Sequence, residues 1–266
     1  MYWVRPSDVL AVENAILARK TSVHISLDLG LMMQDLVLEH GLVLAPSGEE
    51  LSMPALKKDE KICFFWQDNE FKRIRFMGEE TGMIYELVET AGRPMLKVSA
   101  TPFHKWDFIK RIEADGPTGM VLDAGTGLGY TAIAAARTAK HVITVEVDPH
   151  VLQVQELNPW SRPLIAPNIE QVHDDIAVYI RKFPPAAFDT VILDGGTPRS
   201  SGEFFSQSQY NQVRRVLKKS GKLYHYLPDK GVTKGRDFPA EVIKRLKKAG
   251  FKEVQRFKEE NYVIAK

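Results

Sequence analysis

The spacing of apolar residues changes along the chain and predicts two regions of different architecture. Apolar residues at helical spacing predict a helix over residues 7–20, beginning at Ser7 or Asp8. From there to about residue 100, apolar residues alternate with polar ones, as in 23–29, or flank short turns. We therefore predict a small β-rich N-terminal domain over residues 1–104.

A different pattern begins at Met120, where short apolar runs alternate with helical stretches. This pattern is typical of βαβ units and a mostly parallel sheet. The predicted parallel strands lie at 120–122, 142–147, 169–172, 190–193 and 222–227. The predicted helices lie at 129–139, 150–157, 176–183, 203–219 and 238–249. Two last runs, 253–257 and 262–265, predict an antiparallel hairpin, so residues 105–266 are expected to form an α/β domain with a Rossmann-like sheet.

The first parallel run ends in an acid, Asp123, and a glycine-rich loop follows it. Glycines at alternate positions allow a sharp turn and a close approach of backbone to ligand, although tight strand-to-helix packing also demands small residues. A dinucleotide-binding fingerprint needs its third glycine where this chain has Tyr130. The loop residues considered as ligand contacts are Gly125, Thr126, Gly127, Gly129 and Tyr130.

Acids also end the next two parallel runs. Glu146 ends the second run, directly before Val147, and a carboxylate there suits the two hydroxyls of a ribose. The third run ends in Asp174 and Asp175, of which the first suits an adenine amino group and the second suits a helix cap. Helix capping alone explains these acids about as well as ligand binding does. Because these acids follow Asp123 and its glycines in order along the chain, however, the whole set favours a site for a nucleoside-containing ligand at the carboxyl edge of the sheet.

This ordered set resembles the class I S-adenosylmethionine-dependent methyltransferases over residues 100–266. Asp123 and the three loop glycines match the first motif of that family, acid-x-G-x-G-x-G. Glu146 matches its ribose-binding acid, and Asp174 or Asp175 matches its adenine-side acid. The resemblance implies S-adenosyl-L-methionine as cofactor, bound by these residues, by the loop, by Val147 and by Asp194.

Further motifs resemble a family of predicted archaeal methyltransferases of unassigned substrate, which extends the resemblance to nearly the whole chain. These motifs lie at 158–162, 202–203, 224–226 and 234–237. That family also has a histidine before the first motif, here His104, and Asp-Pro-Pro after the fourth strand, where this chain has Asp-Gly-Gly-Thr-Pro at 194–198. The departure argues against a nucleophilic nitrogen held by a proline-pinned carbonyl. We interpret 158–162 as a structural plug at the edge of the sheet opposite the cofactor.

Residues at the remaining strand ends are candidates for catalysis and for binding the methyl acceptor. Asp194 ends the fourth run beside two glycines, where it could orient or deprotonate a nitrogen or oxygen nucleophile, or hydrogen-bond the turn. In the fifth run His225 alternates with Tyr224 and Tyr226, so we expect only one of the two sets to face the core. The candidates for contacting the acceptor are His104, Arg199 and Tyr226.

Two other functions stay open. Spermidine synthases are similar in fold and transfer an aminopropyl group from decarboxylated S-adenosylmethionine. They carry a second aspartate three residues after the strand-end acid, where this chain has Thr197, so this alternative ranks below methylation. The other alternative is a cofactor-binding protein without catalysis that serves an RNA or protein partner. An RNA, a protein and a small metabolite are equally open as methyl acceptor, and the oligomeric state is open too.

Composition narrows the class of protein. Hydrophobic residues make up 44% of the chain, charged residues make up 26%, and no run approaches the roughly 18 apolar residues of a membrane span. The single cysteine, Cys63, excludes an intrachain disulfide and a Cys-rich metal site, so we expect no metal and a cytoplasmic protein.

Charge divides unevenly along the chain. Residues 1–118 hold 14 Lys and Arg against 18 Asp and Glu, a net charge of −4, and the remainder has 22 against 16, a net charge of +6. The basic excess is compatible with RNA, although its spacing fits the solvated faces of helices better. Part of it comes from Arg214, Arg215, Lys218, Lys219 and Lys222.

Overall fold

The chain divides into two compact units, Met1–His104 with Gln153–Arg162, and Lys105–Leu152 with Pro163–Lys266. The computed structural model describes residues 1–99, 101–103, 106–196, 202–227 and 237–266. The domain limits expected from the sequence, 1–104 and 105–266, stay a prediction. The segment Gln153–Arg162 groups with the first unit through its contacts.

Residues 1–103 contain mainly short antiparallel strands, as the period-two pattern predicts. The elements are β1 (Trp3–Val4), α1 (Pro6–Leu17), β2 (Ser22–Ile25), β3 (Gln34–Glu39), β4 (Leu42–Leu44), β5 (Glu50–Leu51), β6 (Phe64–Gln67), β7 (Glu70–Arg73), β8 (Arg75–Met77), β9 (Ile84–Val88), β10 (Met95–Val98) and β11 (Thr101–Pro102). They form sheets in the orders β1-β6-β7, β2-β3-β4-β5 and β11-β10-β9-β8. Along β2, Val23 and Ile25 are buried while Ser22 and His24 are exposed, which is the alternation expected from the sequence.

The part of the chain from Trp106 onward is built around one long sheet. Its elements are α2 (Trp106–Asp115), β12 (Met120–Ala124), α3 (Tyr130–Ala136), β13 (His141–Glu146), α4 (Pro149–Glu156), β14 (Ile169–His173), α5 (Ile176–Tyr179), β15 (Phe188–Leu193), α6 (Gln207–Val216), β16 (Leu217–Tyr226), α7 (Phe238–Lys248), β17 (Val254–Phe257) and β18 (Tyr262–Ala265). Short 3-10 helices lie at Pro159–Ile165, Ile180–Lys182 and Gly202–Phe205.

The strand order of this sheet is β14-β13-β12-β15-β16-β18-β17. The first five strands run parallel, and β18 and β17 close the sheet as an antiparallel hairpin. The predicted Rossmann-like sheet with its C-terminal hairpin is therefore confirmed. Since β12 lies between β13 and β15, the ends of the strands that carry Asp123, Glu146 and Asp194 are neighbours.

The helix expected at 203–219 is shorter, and the strand after it begins earlier than expected at 222. Ser206 caps α6 by accepting a hydrogen bond from the Gln209 N–H, and the backbone is already extended at Leu217. Leu217 pairs with Phe188 of β15 and is buried, because its side chain fills the core beneath the sheet. Lys218, Lys219 and Lys222 thus lie on β16 and do not belong to a helix face, which corrects the sequence-based interpretation.

Both faces of β16 are buried near its end, so the expectation that only one set of side chains faces the core is wrong. The Tyr224 hydroxyl donates to Asp115 of α2 at 2.6 Å on one face. On the other face His225 is fully buried against Phe205 and Tyr210. A parallel sheet covered by helices on both sides leaves no solvent-facing side at its centre.

The segment at 158–162 makes structural contacts within the first unit, and its place as a plug at the edge opposite the cofactor stays a prediction. The indole N–H of Trp160 donates to the Leu29 carbonyl oxygen at 3.0 Å. The guanidinium of Arg162 lies 4.9 Å from the centre of the Trp3 ring. Asn158 donates to the Ser161 hydroxyl at 2.9 Å and is itself buried. These side chains are held by their neighbours within this unit.

Candidate cofactor site

Asp123, the last residue but one of β12, is fully buried. Its Oδ2 accepts a hydrogen bond of 2.7 Å from the hydroxyl of Thr144 on β13. Within the described part of the chain, its Oδ1 is buried without a hydrogen-bond partner. Burial raises the pKa of Asp123 to about 7, and the hydroxyls of Thr144 and Thr131 offset part of that rise. The carboxyl group can therefore be protonated or ionised near neutral pH.

Two glycines of the loop are required by the atoms that lie against them. Gly125 has a φ of +88°, and a Cβ there would lie 2.1 Å from the Asp194 carbonyl oxygen. Gly129 has a φ of +82°, and a Cβ there would lie 2.4 Å from Leu164 Cδ1. A side chain at either position would meet both backbone strain and a clash. The glycines at these two positions thus serve packing of the loop, besides any approach to a ligand.

Glu146, the last residue of β13, is mostly buried and holds the loop through its carboxylate. Its Oε2 accepts from the Gly127 N–H at 2.9 Å, and its Oε1 accepts from the N–H groups of Val147 and Asp148, each at 3.0 Å. Burial raises the pKa of Glu146, and these donors offset part of the rise. A carboxylate has about four acceptor sites, so three bonds leave one on Oε2 for a hydroxyl donor.

The residues after Glu146 and β14 lie on the same edge. Val147 is 61% exposed, an uncommon position for an apolar side chain beside a buried acid. The Asp174 N–H donates to the Glu146 carbonyl oxygen at 3.1 Å, which joins the two strand ends. The Asp174 carboxylate accepts from Lys182 Nζ at 2.9 Å, and this contact lowers its pKa. Asp175 accepts from the Ala177 N–H at 2.7 Å and caps α5, which confirms the cap expected from the sequence.

Asp194 follows β15 and is half-buried. Its N–H donates to the Ala124 carbonyl oxygen at 2.9 Å, so the backbone at Asp194 lies directly beside the end of β12. Its own carbonyl oxygen is the atom that excludes a side chain at Gly125. Tertiary structure therefore brings together Asp123, the glycine loop, Glu146, Asp174 and Asp194.

Four other predicted contacts are placed differently or fall outside the described residues. Tyr130 begins α3 and is buried, its ring 5.7 Å from that of Trp106. Tyr226 is 8% exposed, with its ring 6.1 Å from that of Phe108. Both rings therefore pack in the core, and their contact with a ligand stays a prediction. His104 and Arg199 lie outside the residues that the structure describes.

Comparison with known proteins bears on the chemistry of this edge. A family profile described as a methyltransferase domain matches residues 122–225, the segment from β12 to β16. An uncharacterized protein of Methanocaldococcus jannaschii, MJ1233, is 33% identical over 233 residues, which cover 83% of this chain and 79% of that protein. The chain belongs to the class I methyltransferases. This relative is archaeal, in line with the resemblance of the sequence motifs.

Solved structures share the fold of this methyltransferase. A spermidine synthase in complex with the transition state analogue AdoDATO matches with a TM-score of 0.60 and 18% identity, over 72% of this chain and 71% of that one. The spermidine synthase of Thermotoga maritima matches with a TM-score of 0.56 and 18% identity, over 72% and 70%. Identity at this level shows the fold alone.

Two buried polar groups of the methyltransferase domain have contacts that sequence reasoning did not assign. Thr144 is fully buried beside Asp123, and the available signal is a polar residue inside the apolar run 142–147. His225 is held by two contacts: its Nδ1 donates to the Leu193 carbonyl oxygen at 3.2 Å, and its Nε2 accepts from the Tyr210 hydroxyl at 2.9 Å. Burial lowers the pKa of His225 to about 4, so the ring is neutral at pH 7.

Some of the basic residues considered for RNA have partners inside the domain. Arg215 donates to the carbonyl oxygens of Phe183 at 2.6 Å and Ile180 at 3.1 Å. Lys218 Nζ lies 2.8 Å from both carboxylate oxygens of Asp189. These contacts stabilise the fold, and binding of RNA by the basic residues stays a prediction.

Metal and membrane features are both absent from the described residues. They contain no cluster of three or more His, Cys, Asp or Glu side chains that could hold a metal ion. In the same part of the chain, no helix combines the length and apolar character that a membrane crossing requires.

Proposed function

We propose that this protein is an S-adenosylmethionine-dependent methyltransferase whose cofactor lies on the edge formed by β12, β13 and β14. The observation that carries the proposal is the convergence of a glycine loop, a buried acid with an unpartnered oxygen, and an acid with one acceptor site left, on neighbouring strand ends. Family membership supports the same reaction class. Ligands of open α/β sheets bind at this edge.

The residues fit the chemical groups of the cofactor. The acceptor site on Glu146 Oε2 suits a ribose hydroxyl, and exposed Val147 offers an apolar surface to an adenine ring. Asp174 accepts from Lys182 through Oδ2 and from the Asp175 N–H through Oδ1, and each oxygen keeps a second acceptor site for an adenine amino group. Asp123 supplies negative charge when ionised, which favours a ligand that carries a sulfonium and an ammonium group.

The protein's part in the reaction is positioning. When bound, S-adenosylmethionine would supply the chemistry of transfer, an electrophilic methyl carbon on a sulfonium leaving group. The backbone of Asp194 lies beside the end of β12, which supports a role for its carboxylate in orienting a nitrogen or oxygen nucleophile and taking the proton that it releases. Asp194→Asn should therefore spare cofactor binding and lower turnover.

The test is calorimetric titration of the full chain with S-adenosylmethionine, its decarboxylated form and NADH in parallel. Binding of S-adenosylmethionine in preference to the other two supports the proposal. Preference for the decarboxylated form overturns it in favour of aminopropyl transfer, the alternative suggested by the likeness in fold to spermidine synthases. No binding of any of the three overturns it as well and leaves a protein that serves a partner without this cofactor.

The acceptor is approached after the cofactor is established. The protein is incubated with radiolabelled S-adenosylmethionine and, in separate reactions, with RNA, protein extract or a metabolite pool. The fraction that takes up label identifies the chemical class of the methyl acceptor. RNA binding that weakens as the salt concentration rises supports RNA as the acceptor, because counterion release makes such binding salt-dependent. Absence of RNA binding at low salt excludes RNA as the acceptor.

A further inference from the structure

Three buried polar side chains form a chain of hydrogen bonds beneath the glycine loop. Thr126 Oγ1 lies 2.6 Å from Thr144 Oγ1, and Thr144 Oγ1 lies 2.7 Å from Asp123 Oδ2. Thr126 is 4% exposed, and the other two are fully buried. They come from the loop, from β13 and from β12, respectively. The chain thus connects the loop to the buried acid through one strand residue.

The direction of these bonds follows from counting protons. A hydroxyl has one proton to donate, and Thr144 donates its proton to Asp123. The contact between the two threonines is therefore made by the Thr126 hydroxyl donating to the Thr144 oxygen. The rotamer of Thr144 thereby sets the position of both the Asp123 carboxylate and the Thr126 side chain.

Thr126 in turn anchors the loop backbone. Its N–H donates to the Val145 carbonyl oxygen at 3.3 Å, and its carbonyl oxygen accepts from the Gly129 N–H at 2.7 Å. Gly125 also donates to the Val145 carbonyl oxygen, at 3.0 Å. A loop with glycines loses much conformational entropy when it is ordered, so side-chain anchors of this kind matter more here than in an ordinary turn.

The hydroxyl of Thr144 is not needed to fill space. Ile143 and Val145 flank it on the same buried strand, and valine has the same β-branched shape as threonine. A valine at 144 would keep the packing and would leave Asp123 Oδ2 without its donor. Asp123 Oδ1 is already buried without a partner in the described structure, so of the two hydroxyls that act on the acid only that of Thr131 would remain.

We infer that Thr144 is a positioning residue for cofactor binding, because its hydroxyl fixes the Asp123 carboxylate and, through Thr126, the conformation of the Gly125–Gly129 loop. This inference rests on the proposed function, and it adds a residue that contacts no ligand itself. It predicts that the hydroxyl, and not the volume, of residue 144 determines affinity for S-adenosylmethionine.

The first experiment compares three folded variants by calorimetry. Thr144→Val is expected to weaken S-adenosylmethionine binding about tenfold, in line with one hydrogen bond to a buried acid. Thr144→Ser, which restores the hydroxyl, is expected to bind within about threefold of wild type. Thr190→Val is the matched control, because Thr190 is a buried threonine on β15, the strand that pairs with β12 on the side opposite β13. Wild-type affinity in Thr144→Val, or equal losses in the valine and serine variants, overturns the inference.

A second readout is the pH at which affinity changes. The hydroxyl of Thr144 lowers the pKa of Asp123, while Glu146 of β13 raises it and Thr131 of α3 lowers it; the β15 neighbour, Ile192, is apolar. Removing the Thr144 hydroxyl should move the midpoint of the pH–affinity curve upward. A merely structural role would lower the melting temperature and leave that midpoint unchanged.

A third readout needs no ligand. Amide hydrogen exchange in peptides that cover residues 124–130 should be faster in Thr144→Val than in wild type, and Thr144→Ser should restore it. Unchanged exchange in the valine variant contradicts the loop-anchoring role. If wild-type protein fails to bind S-adenosylmethionine, the proposed function falls, and the exchange measurement still decides whether Thr144 holds the loop.

Discussion

Two halves of one sheet edge use polar residues in opposite ways. At the ends of β12 and β13, Asp123 has a buried oxygen without a partner in the described structure, and Glu146 has one acceptor site left. At the end of β16, His225 has both ring nitrogens engaged and aromatic rings against it. The same signal, a polar residue at or near the end of an apolar run, therefore accompanies the proposed ligand site in one half and a satisfied core in the other.

The difference arises from the segments that lie against each strand end. A loop with three glycines comes after β12, and two of these positions have no room for a side chain. The Gly202–Phe205 helix and α6 instead bring Phe205 and Tyr210 against His225. Polar groups that retain bonding capacity point to ligands, whereas fully bonded ones point to stability.

The largest effect is expected for Gly125→Ala, which tests the junction between the two halves. The added Cβ meets the Asp194 carbonyl oxygen, a backbone atom that cannot move aside, in addition to the strain of φ +88°. We expect a loss of more than about 3 kcal/mol in unfolding free energy by denaturant titration. Gly48→Ala is the matched control, since φ is +86° and nothing lies within 4 Å; it should cost about 1 kcal/mol. Equal losses in both variants would show that backbone strain alone matters.

The next largest effect is expected for the pH dependence of the unfolding free energy, to which buried His225 contributes. The folded-state pKa is about 4 and an unfolded histidine titrates near 6.5, so the unfolded state binds more protons between these values. Stability from this group is therefore complete above pH 6.5 and falls on acidification toward pH 4, by at most about 3 kcal/mol. The melting temperature of both proteins should be measured as a function of pH. Between pH 4 and 6.5 it should change less steeply in His225→Asn than in wild type. Parallel slopes would contradict a buried neutral ring.

Glu146→Ala tests the cofactor half. The substitution removes the ribose acceptor and frees the N–H groups of Gly127, Val147 and Asp148, so we expect S-adenosylmethionine to bind about 100-fold more weakly by calorimetry. Glu170→Ala, an exposed acid on β14, should bind as wild type does. Unchanged affinity in folded Glu146→Ala would overturn the site assignment.

The smallest effect is expected for Tyr210→Phe. Loss of the hydroxyl leaves Nε2 of buried His225 without its donor, which should cost about 1–2 kcal/mol of unfolding free energy. Affinity for S-adenosylmethionine should stay within about twofold of wild type, because this half of the edge serves the core. A loss of affinity as large as the loss of stability would mean that the two halves are coupled.

Local patterns in the sequence predicted much of the second unit. Alternating runs and helices indicated the parallel sheet and its hairpin, because period and turn chemistry depend on near neighbours. The acids at strand ends and the Asp175 cap were also recognisable from position alone. The early start of β16 was not, because Leu217 becomes extended only by pairing with Phe188, which is distant in sequence.

By itself, then, the sequence determined the order of the elements, the glycine loop and the set of acids that meet at one edge. Only the tertiary structure decided which polar groups keep bonding capacity. The Thr144 hydroxyl reaches Asp123 across 21 residues, and the Asp194 carbonyl oxygen excludes a side chain at Gly125. Hydrogen-bond satisfaction and close approach depend on atoms that are far apart in the chain, and no local pattern contains them.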